Sequence, residues 1–355
     1  LPPGYKPLLV GIFWPSTSLV FGAGERGPGL ANVHDSESSD AEVAAERREI
    51  EELAADLDSS QAEVLYRATQ KESITLDEAR ELAGVALRLR GSVDDEVGAD
   101  VDALLASWAA AAGSDPLDEL SSGPGRRATE AALSGFFSKF DPRQIVRALT
   151  VWQMKDRAGT VGAKGVGPLL RDILASSGAK VHLVGHSYGC KVVLSATCHG
   201  AELPRNVRSM LLLQPAVSHL CFAATVPGTA PPRAGGYRPA LQRVDAPILS
   251  TFSAQDRPLT MLFHNAVRRD EDLGEAKISA AVGPTKEPPS RHAALGGFGP
   301  RQAGERLMPL QPKGSAYAFE TGVGLYGLDG SSAIGGHGEI SIPETWWALH
   351  SLVAR

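Results

Sequence analysis

Residues 180–196 read KVHLVGHSYGCKVVLSA, and this stretch is the clearest indication of the fold in the chain. It opens on a short apolar run that is typical of a buried strand and closes on a run with helical spacing. Between them, residues 185–189 match the pattern Gly-x-Ser-x-Gly. In a chain of this length and composition, the expected number of such matches by chance is roughly one third, so the motif alone is weak evidence. The prediction therefore depends on the strand and the helix that flank it. Together they predict a nucleophile elbow, a sharp turn that holds a serine hydroxyl above the edge of a sheet.

The residues of this motif have distinct predicted roles. Gly185 and Gly189 leave room where the backbones of the strand and the helix approach each other closely. Ser187 is the candidate nucleophile, and the backbone N–H of Tyr188, at the start of the helix, would point towards a developing oxyanion. His186 is expected to pack or support the site, because the elbow directs it away from the serine. The alternative is a glycine-bearing turn with a bystander serine.

A serine hydroxyl needs a base to accept its proton, and the base is oriented by a carboxylate. Two apolar runs downstream are candidate strands. The first, residues 210–213, ends in Gln214-Pro215 without a carboxylate, whereas the second, residues 247–252, is followed closely by Asp256. Asp256 is therefore the candidate acid. The alternative is that Asp256 only caps a helix that is predicted to begin near Leu259.

Four histidines follow the candidate acid. His264 and His350 fall within predicted helices, and His292 falls in a stretch without any periodicity. His337 lies between glycines in residues 335–338, on a loop between the last predicted strand and the last predicted helix. Because flanking glycines let the backbone carry an imidazole into a crowded site, His337 is the candidate base. The alternative is an exposed loop histidine.

Short apolar runs alternate with helical patterns along the chain. This alternation predicts an α/β fold, a mostly parallel sheet with helices on both faces. The runs predicted to be strands are residues 7–13, 180–184, 207–213, 247–252 and 323–328. The first of them, Pro7-Leu8-Leu9-Val10-Gly11-Ile12-Phe13, is expected to be buried on both faces. A final helix is predicted over residues 346–353.

The chain is predicted to form a single domain, residues 1–355, with two unusual segments. Residues 35–130 are rich in Ala, Glu, Leu and Arg and predict a helical insert that could act as a lid. Thr75 and Glu78 form a capping-box signature there. Apolar residues follow it at helical spacing, namely Leu76, Ala79, Leu82, Ala83, Ala86 and Leu89. Residues 283–316 are rich in Gly and Pro and predict a long loop without regular structure.

Composition excludes several classes of protein. The chain has 355 residues and a net charge of −6, which offers no basic surface for nucleic acid. No apolar run is long enough for a transmembrane helix. The three cysteines are too few for a disulfide framework and fit no zinc pattern, so no metal site is expected from them. A cytoplasmic location is the default expectation, although an upstream signal peptide would change it, and the oligomeric state is not indicated.

With Ser187, Asp256 and His337 in this order, the chain resembles the α/β-hydrolase superfamily. Residues 10–16, Val-Gly-Ile-Phe-Trp-Pro-Ser, are similar to a poorly characterised group of predicted hydrolases in which a strand ends in a Trp-Pro-Ser turn ahead of the nucleophile. The resemblance implies that an earlier strand, with the turn that supplies a second oxyanion donor, is missing from a truncated N-terminus. Such a chain is expected to lack half of its oxyanion hole and to turn over slowly.

The resemblance implies a cofactor-independent serine hydrolase that cleaves an ester or related acyl bond through a Ser-His-Asp triad and an acyl-enzyme, like a carboxylesterase or lipase. Its partner would be a small-molecule acyl or ester substrate, and the aliphatic residues of the insert would suit an apolar one. Those residues could equally form the insert's own core. Two alternatives stay open: a catalytically silent binding or scaffold module, and a thioesterase, amidase or acyltransferase that uses the same triad.

Overall fold

The structure is a computed structural model. It describes residues 6–14, 57–71, 73–89, 157–227, 232–262 and 293–355, and also residues 54, 101, 105, 134, 135, 137, 138, 154, 155 and 288. The chain divides into two compact units. The first consists of Leu1–Pro15, Arg157–His264 and Ile278–Arg355, and the second of Ser16–Asp156 and Asn265–Lys277.

The first unit contains a five-stranded sheet in which all strands are parallel. The strands are β1 (His182–His186), β2 (Ser209–Leu213), β3 (Ile248–Phe252), β4 (Arg306–Pro309) and β5 (Leu325–Asp329). Their order across the sheet is β1-β2-β3-β5-β4. Because parallel strands end at the same edge, the loops that follow β1, β2, β3 and β5 leave the sheet side by side. The prediction of an α/β chain with a parallel sheet is confirmed.

Seven α-helices lie with both their ends in the described part of the chain. They are α1 (Ser59–Thr69), α2 (Leu76–Leu89), α3 (Gly167–Ser176), α4 (Tyr188–Cys198), α5 (Ala240–Arg243), α6 (Leu295–Phe298) and α7 (Pro343–Val353). Two π-helical segments, Val161–Val166 and Pro258–Leu262, accompany them. The first π-helical segment leads directly into α3 and packs closely on α4. A Cβ on Gly162 would lie only 2.4 Å from the carbonyl oxygen of Val192, so this close approach requires glycine.

The sheet carries an apolar core on each of its faces. Successive side chains of a strand point to opposite faces, so Met210 and Leu212 of β2 lie in one core and Leu211 and Leu213 in the other. The first core includes residues of α3 and α4, namely Leu170, Leu174, Cys190 and Leu194. The second core includes Ala348 and Leu352 of α7. Helices therefore cover both faces of the sheet, as predicted.

In the second unit, α1 and α2 lie within the predicted helical insert. Asp58 caps α1, where its Oδ1 accepts hydrogen bonds from the N–H groups of Ser60 and Gln61. The predicted capping box of α2 is present, since the Glu78 N–H donates to Thr75 Oγ1 and the Thr75 N–H donates to Glu78 Oε2. Five of the apolar positions predicted to line one helix face are buried, namely Leu76, Ala79, Leu82, Ala83 and Ala86. Most of the remaining insert lies outside the described residues.

The predicted strand at residues 7–13 is wrong. Residues 6–14 have no regular secondary structure, and Leu8, Leu9 and Phe13 are 87%, 91% and 98% exposed. An apolar run becomes a strand only when a neighbouring strand pairs with it, and none of the described strands pairs with this segment. Local composition was therefore an insufficient guide at this position.

The prediction for residues 283–316 also needs correction over the part that the structure describes. Residues 295–298 form α6, which is fully buried, and residues 306–309 form the edge strand β4. Gly296 explains the burial of α6, because a Cβ at this position would lie 2.4 Å from the carbonyl carbon of Gln214. Here glycine is a requirement of close packing and not a sign of an unstructured loop.

Candidate active site

Ser187 occupies the sharp turn between β1 and α4. Its backbone has φ 54° and ψ −125°, a combination that side-chain-bearing residues rarely adopt. The Ser187 N–H donates to the carbonyl of Leu213, at the end of β2, and the Ser187 carbonyl accepts from the N–H of Cys190. The turn is therefore held from two sides, and it presents the serine at the carboxyl edge of the sheet.

Of the two glycines that flank the elbow, only Gly185 is required by packing. A Cβ on Gly185 would lie 2.7 Å from both the Cys190 nitrogen and the Gly189 oxygen. A Cβ on Gly189 would meet nothing within 4 Å. The expectation that both positions must be small is thus corrected for Gly189. Tyr188 is the first residue of α4, where the helix dipole favours negative charge.

Asp256 lies in the loop that follows β3 and is completely buried. The loop is anchored where Ser253 Oγ donates to the carbonyl of Ile334 at 2.8 Å. Asp256 Oδ1 accepts a hydrogen bond from the N–H of Leu259 at 3.1 Å, so the residue caps a helical turn. Its Oδ2 is the acceptor for His337 Nδ1 at 2.8 Å. Asp256 therefore caps the turn through one carboxylate oxygen and contacts His337 through the other.

His337 lies in the loop that follows β5, and its side chain is 21% exposed. Its Nε2 lies 2.8 Å from Ser187 Oγ, while its Nδ1 lies 2.8 Å from Asp256 Oδ2. A carboxylate only accepts hydrogen bonds, so the hydrogen-bond network assigns the proton to Nδ1 and leaves Nε2 free to accept from the serine hydroxyl. Three residues that are as many as 150 positions apart in sequence form one hydrogen-bonded chain.

His186 contacts the loop that carries His337. Its Nε2–H donates to the His337 carbonyl oxygen at 2.8 Å, and the centroids of the two rings are 4.9 Å apart. Burial, together with the neighbouring His337, lowers the pKa of His186 to about 4, so the imidazole is uncharged at neutral pH. The expectation that His186 supports the site without acting as the base agrees with this placement.

Gln214, which directly follows β2, was not predicted to belong to the site. Its Nε2 lies 2.7 Å from Asp256 Oδ2 and 3.3 Å from the carbonyl oxygen of Gly336. The sequence offered one weak signal, the position of a polar residue at the end of a fully apolar strand. Because an amide is not a catalytic acid or base, residue type alone favours the carboxylate after β3 over this position.

The remaining candidate nucleophiles and bases lie elsewhere or are inert. His350 lies on α7, where its ring stacks on that of Trp347. His264 and His292 lie outside the described residues. Burial raises the pKa of all three cysteines, that of Cys198 to about 12, so none of them is a thiolate at neutral pH.

Neither a metal site nor a membrane-spanning helix occurs in the described residues. No group of three or more His, Cys, Asp or Glu side chains among them is arranged to hold a metal ion. Within the same residues, no helix combines the length and the apolar character needed to cross a membrane.

Comparisons of the chain with protein-family models, with curated proteins and with solved structures found no match.

Proposed function

We propose that this chain is a serine hydrolase of the α/β-hydrolase type that cleaves an ester or related acyl bond. The observation that carries the proposal is the hydrogen-bonded chain from Ser187 Oγ to His337 Nε2 and from His337 Nδ1 to Asp256 Oδ2. This arrangement supplies what a serine nucleophile needs, a base within reach and a carboxylate that fixes the base. The parallel sheet, with the three residues on loops at its carboxyl edge, supports the same proposal.

In the proposed first step, His337 Nε2 takes the proton of the Ser187 hydroxyl while Oγ attacks the acyl carbon of the substrate. Asp256 holds the Nδ1–H and stabilises the imidazolium that forms. The oxyanion is proposed to accept a hydrogen bond from the Tyr188 backbone N–H, which lies at the positive end of α4. His337 then returns the proton to the leaving group, and the acyl group remains bound to Ser187.

In the proposed second step, a water molecule replaces the leaving group. His337 accepts a proton from the water, and the hydroxide attacks the acyl carbon. The bond to Ser187 Oγ breaks, Oγ recovers its proton from His337, and a carboxylic acid is released. If another acceptor replaced water, the same residues would carry out acyl transfer. The triad itself does not distinguish an ester from a thioester or amide.

A burst experiment tests this proposal. The full chain is mixed with p-nitrophenyl acetate, and release of p-nitrophenolate is followed in the first seconds. An acyl-enzyme predicts a burst that approaches one equivalent per chain, and the burst should disappear in Ser187→Ala. Ser176→Ala, a change at the exposed end of α3, is the matched control and should keep the burst. A folded wild-type chain that gives neither a burst nor turnover contradicts the proposal and favours a binding module.

A further inference from the structure

Gln214 combines three features that are unfavourable for folding. It is a non-glycine residue with φ 42°, in the left-handed region. Its side chain is completely buried. Its Oε1 is buried and has no hydrogen-bond partner among the residues that the structure describes. A buried polar group without a partner calls for an explanation, and the contacts of the other end of the same amide provide one.

The amide nitrogen of Gln214 faces two acceptors of the candidate site. Nε2 donates to Asp256 Oδ2 at 2.7 Å, the same oxygen that accepts from His337 Nδ1, and it also lies 3.3 Å from the Gly336 carbonyl oxygen. The opposite orientation of the amide would place Oε1 against two oxygens that cannot donate. The observed orientation is therefore fixed by chemistry, although it leaves Oε1 unpaired within the described residues.

The backbone of Gln214 is braced on both sides. Its N–H donates to Thr251 Oγ1 of β3 at 2.9 Å. On the other side lies Gly296 of α6, where a Cβ would come within 2.4 Å of the Gln214 carbonyl carbon. Strained backbone persists only where the surrounding structure dictates it. These contacts hold the amide against Asp256 with little freedom to move.

We infer that Gln214 is a positioning residue, which acts on the base through Asp256 and through the loop that carries His337. The inference rests on the proposed hydrolase function. The Gln214 N–H dipole offsets part of the negative charge on Oδ2 and keeps that oxygen directed at Nδ1. Without it, more of the carboxylate's charge acts on the imidazole, so the protonated form of His337 is favoured. The active, neutral form would then be reached only at higher pH.

The test is the pH dependence of labelling by a fluorophosphonate, measured as a second-order rate constant from pH 5 to pH 9. For Gln214→Met, which removes both donors but keeps the length of the side chain, we expect the plateau rate to fall about tenfold. The labelling rate falls towards low pH, and the midpoint of this fall is the pH at which the rate is half of its plateau value. In the variant this midpoint should rise by roughly half a pH unit or more. The other titratable groups in contact with His337 or its loop, Asp256, His186 and Glu339, are unchanged in this variant.

Two further variants keep the test decisive. Gln214→Leu also removes both donors but has a different side-chain shape, so it should move the midpoint upwards even if the Met variant does not fold. Ser209→Ala removes a buried hydroxyl at the other end of β2, where Oγ lies 2.7 Å from His182 Nδ1. It should leave both the midpoint and the plateau unchanged.

The outcomes separate this inference from the proposed function. If the wild type is labelled and the midpoint stays unmoved in a folded Gln214 variant, Gln214 is a packing residue and the inference is overturned, even if the plateau falls. If the wild type is not labelled at any pH, the proposed function fails and the inference fails with it. A shifted midpoint in the Gln214 variants alone supports the inference.

Discussion

Backbone strain is concentrated at the candidate site. Three of the described non-glycine residues have positive φ, and two of them, Ser187 and Gln214, belong to the site. Each of these two backbone conformations lowers the free energy of unfolding by an amount on the order of 1 kcal/mol. Both follow a strand of the sheet directly, and neighbouring backbone fixes both of them by hydrogen bonds or close packing. The sheet and its helices therefore hold these two residues in place.

The role of Asp256 can be tested by Asp256→Asn. The capping bond from the Leu259 N–H to Oδ1 can persist, so the chain should fold. The amide nitrogen would replace the oxygen that accepts from His337 Nδ1, and the imidazole would lose its correct tautomer. We expect the rate of fluorophosphonate labelling to fall about 10³- to 10⁴-fold, by analogy with the same change in other triads. A fall of less than tenfold in the folded variant would contradict the role of Asp256.

His186 is predicted to hold the loop that carries the candidate base, His337. His186→Phe keeps the ring but removes the hydrogen bond to the His337 carbonyl, so the loop that carries the base should be held less firmly. Loss of one such bond predicts a labelling rate that is about ten times lower. His350→Phe, a change on α7 where the ring stacks on Trp347, is the matched control and should label at the wild-type rate. Equal rates for both variants would show that His186 does not position the base.

The sequence predicted which residues would meet at the site only where chemistry restricts the choice. Ser187 lies in a motif, and only a carboxylate and a histidine could follow it in the required order, so Asp256 and His337 could be selected. Gln214 could not be selected, because its contacts with Asp256 and Gly336 are created by the pairing of β2 with β3 and by the return of the chain after β5. Such non-local contacts leave no local pattern in the sequence.

At the scale of secondary structure, the elbow makes a direct prediction about its two glycines. Gly185→Ala would push a methyl group into the backbone of α4 and should lower the free energy of unfolding by about 2 kcal/mol or more. Gly189→Ala adds a methyl group that meets nothing within 4 Å and improves helix propensity, so it should be neutral or stabilising by up to about 1 kcal/mol. Urea unfolding of the two variants measures the difference. Equal losses of stability would contradict the packing at the elbow.

Four of the five strands were predictable because each contains apolar residues in a short run. β2, β3 and β5 are buried along almost their whole length, whereas β1 is only partly buried. β4 was not predictable, since Arg306–Pro309 includes an arginine and a proline and lies largely exposed at the edge of the sheet. Residues 7–13 show the opposite error, an apolar run that none of the described strands pairs with. An apolar run shows that a segment could be buried, but it does not show which strand, if any, lies beside it.

At the scale of the whole molecule, two histidines predict sensitivity to acid, the buried His219 and the partly buried His186. Burial lowers the pKa of both His186 and His219 from 6.5 to about 4. The unfolded chain therefore binds protons below about pH 6.5 that the folded chain does not bind until about pH 4. Stability is fully present above this window and falls as the pH drops through it, by up to about 1.4 kcal/mol per pH unit for each histidine.

Urea unfolding at several pH values, followed by tryptophan fluorescence, measures this slope. His219→Gln should reduce it, since an amide does not titrate and can still donate to the Ala293 carbonyl that His219 contacts. Glu78 does not obscure the effect, because its hydrogen bond with Lys71 lowers its pKa to about 2 and its contribution is lost only below about pH 4.5. A stability that is constant from pH 6.5 to pH 4 would contradict the lowered pKa values of the two histidines.

The central claim is that His337 and Asp256 activate Ser187. The most direct measurement is incubation of the full chain with a fluorophosphonate, followed by intact-mass analysis and peptide mapping of the adduct. We expect one adduct per chain on Ser187, which is absent in Ser187→Ala and nearly absent in His337→Ala. A folded wild-type chain without an adduct, or an adduct that persists in Ser187→Ala, would contradict it.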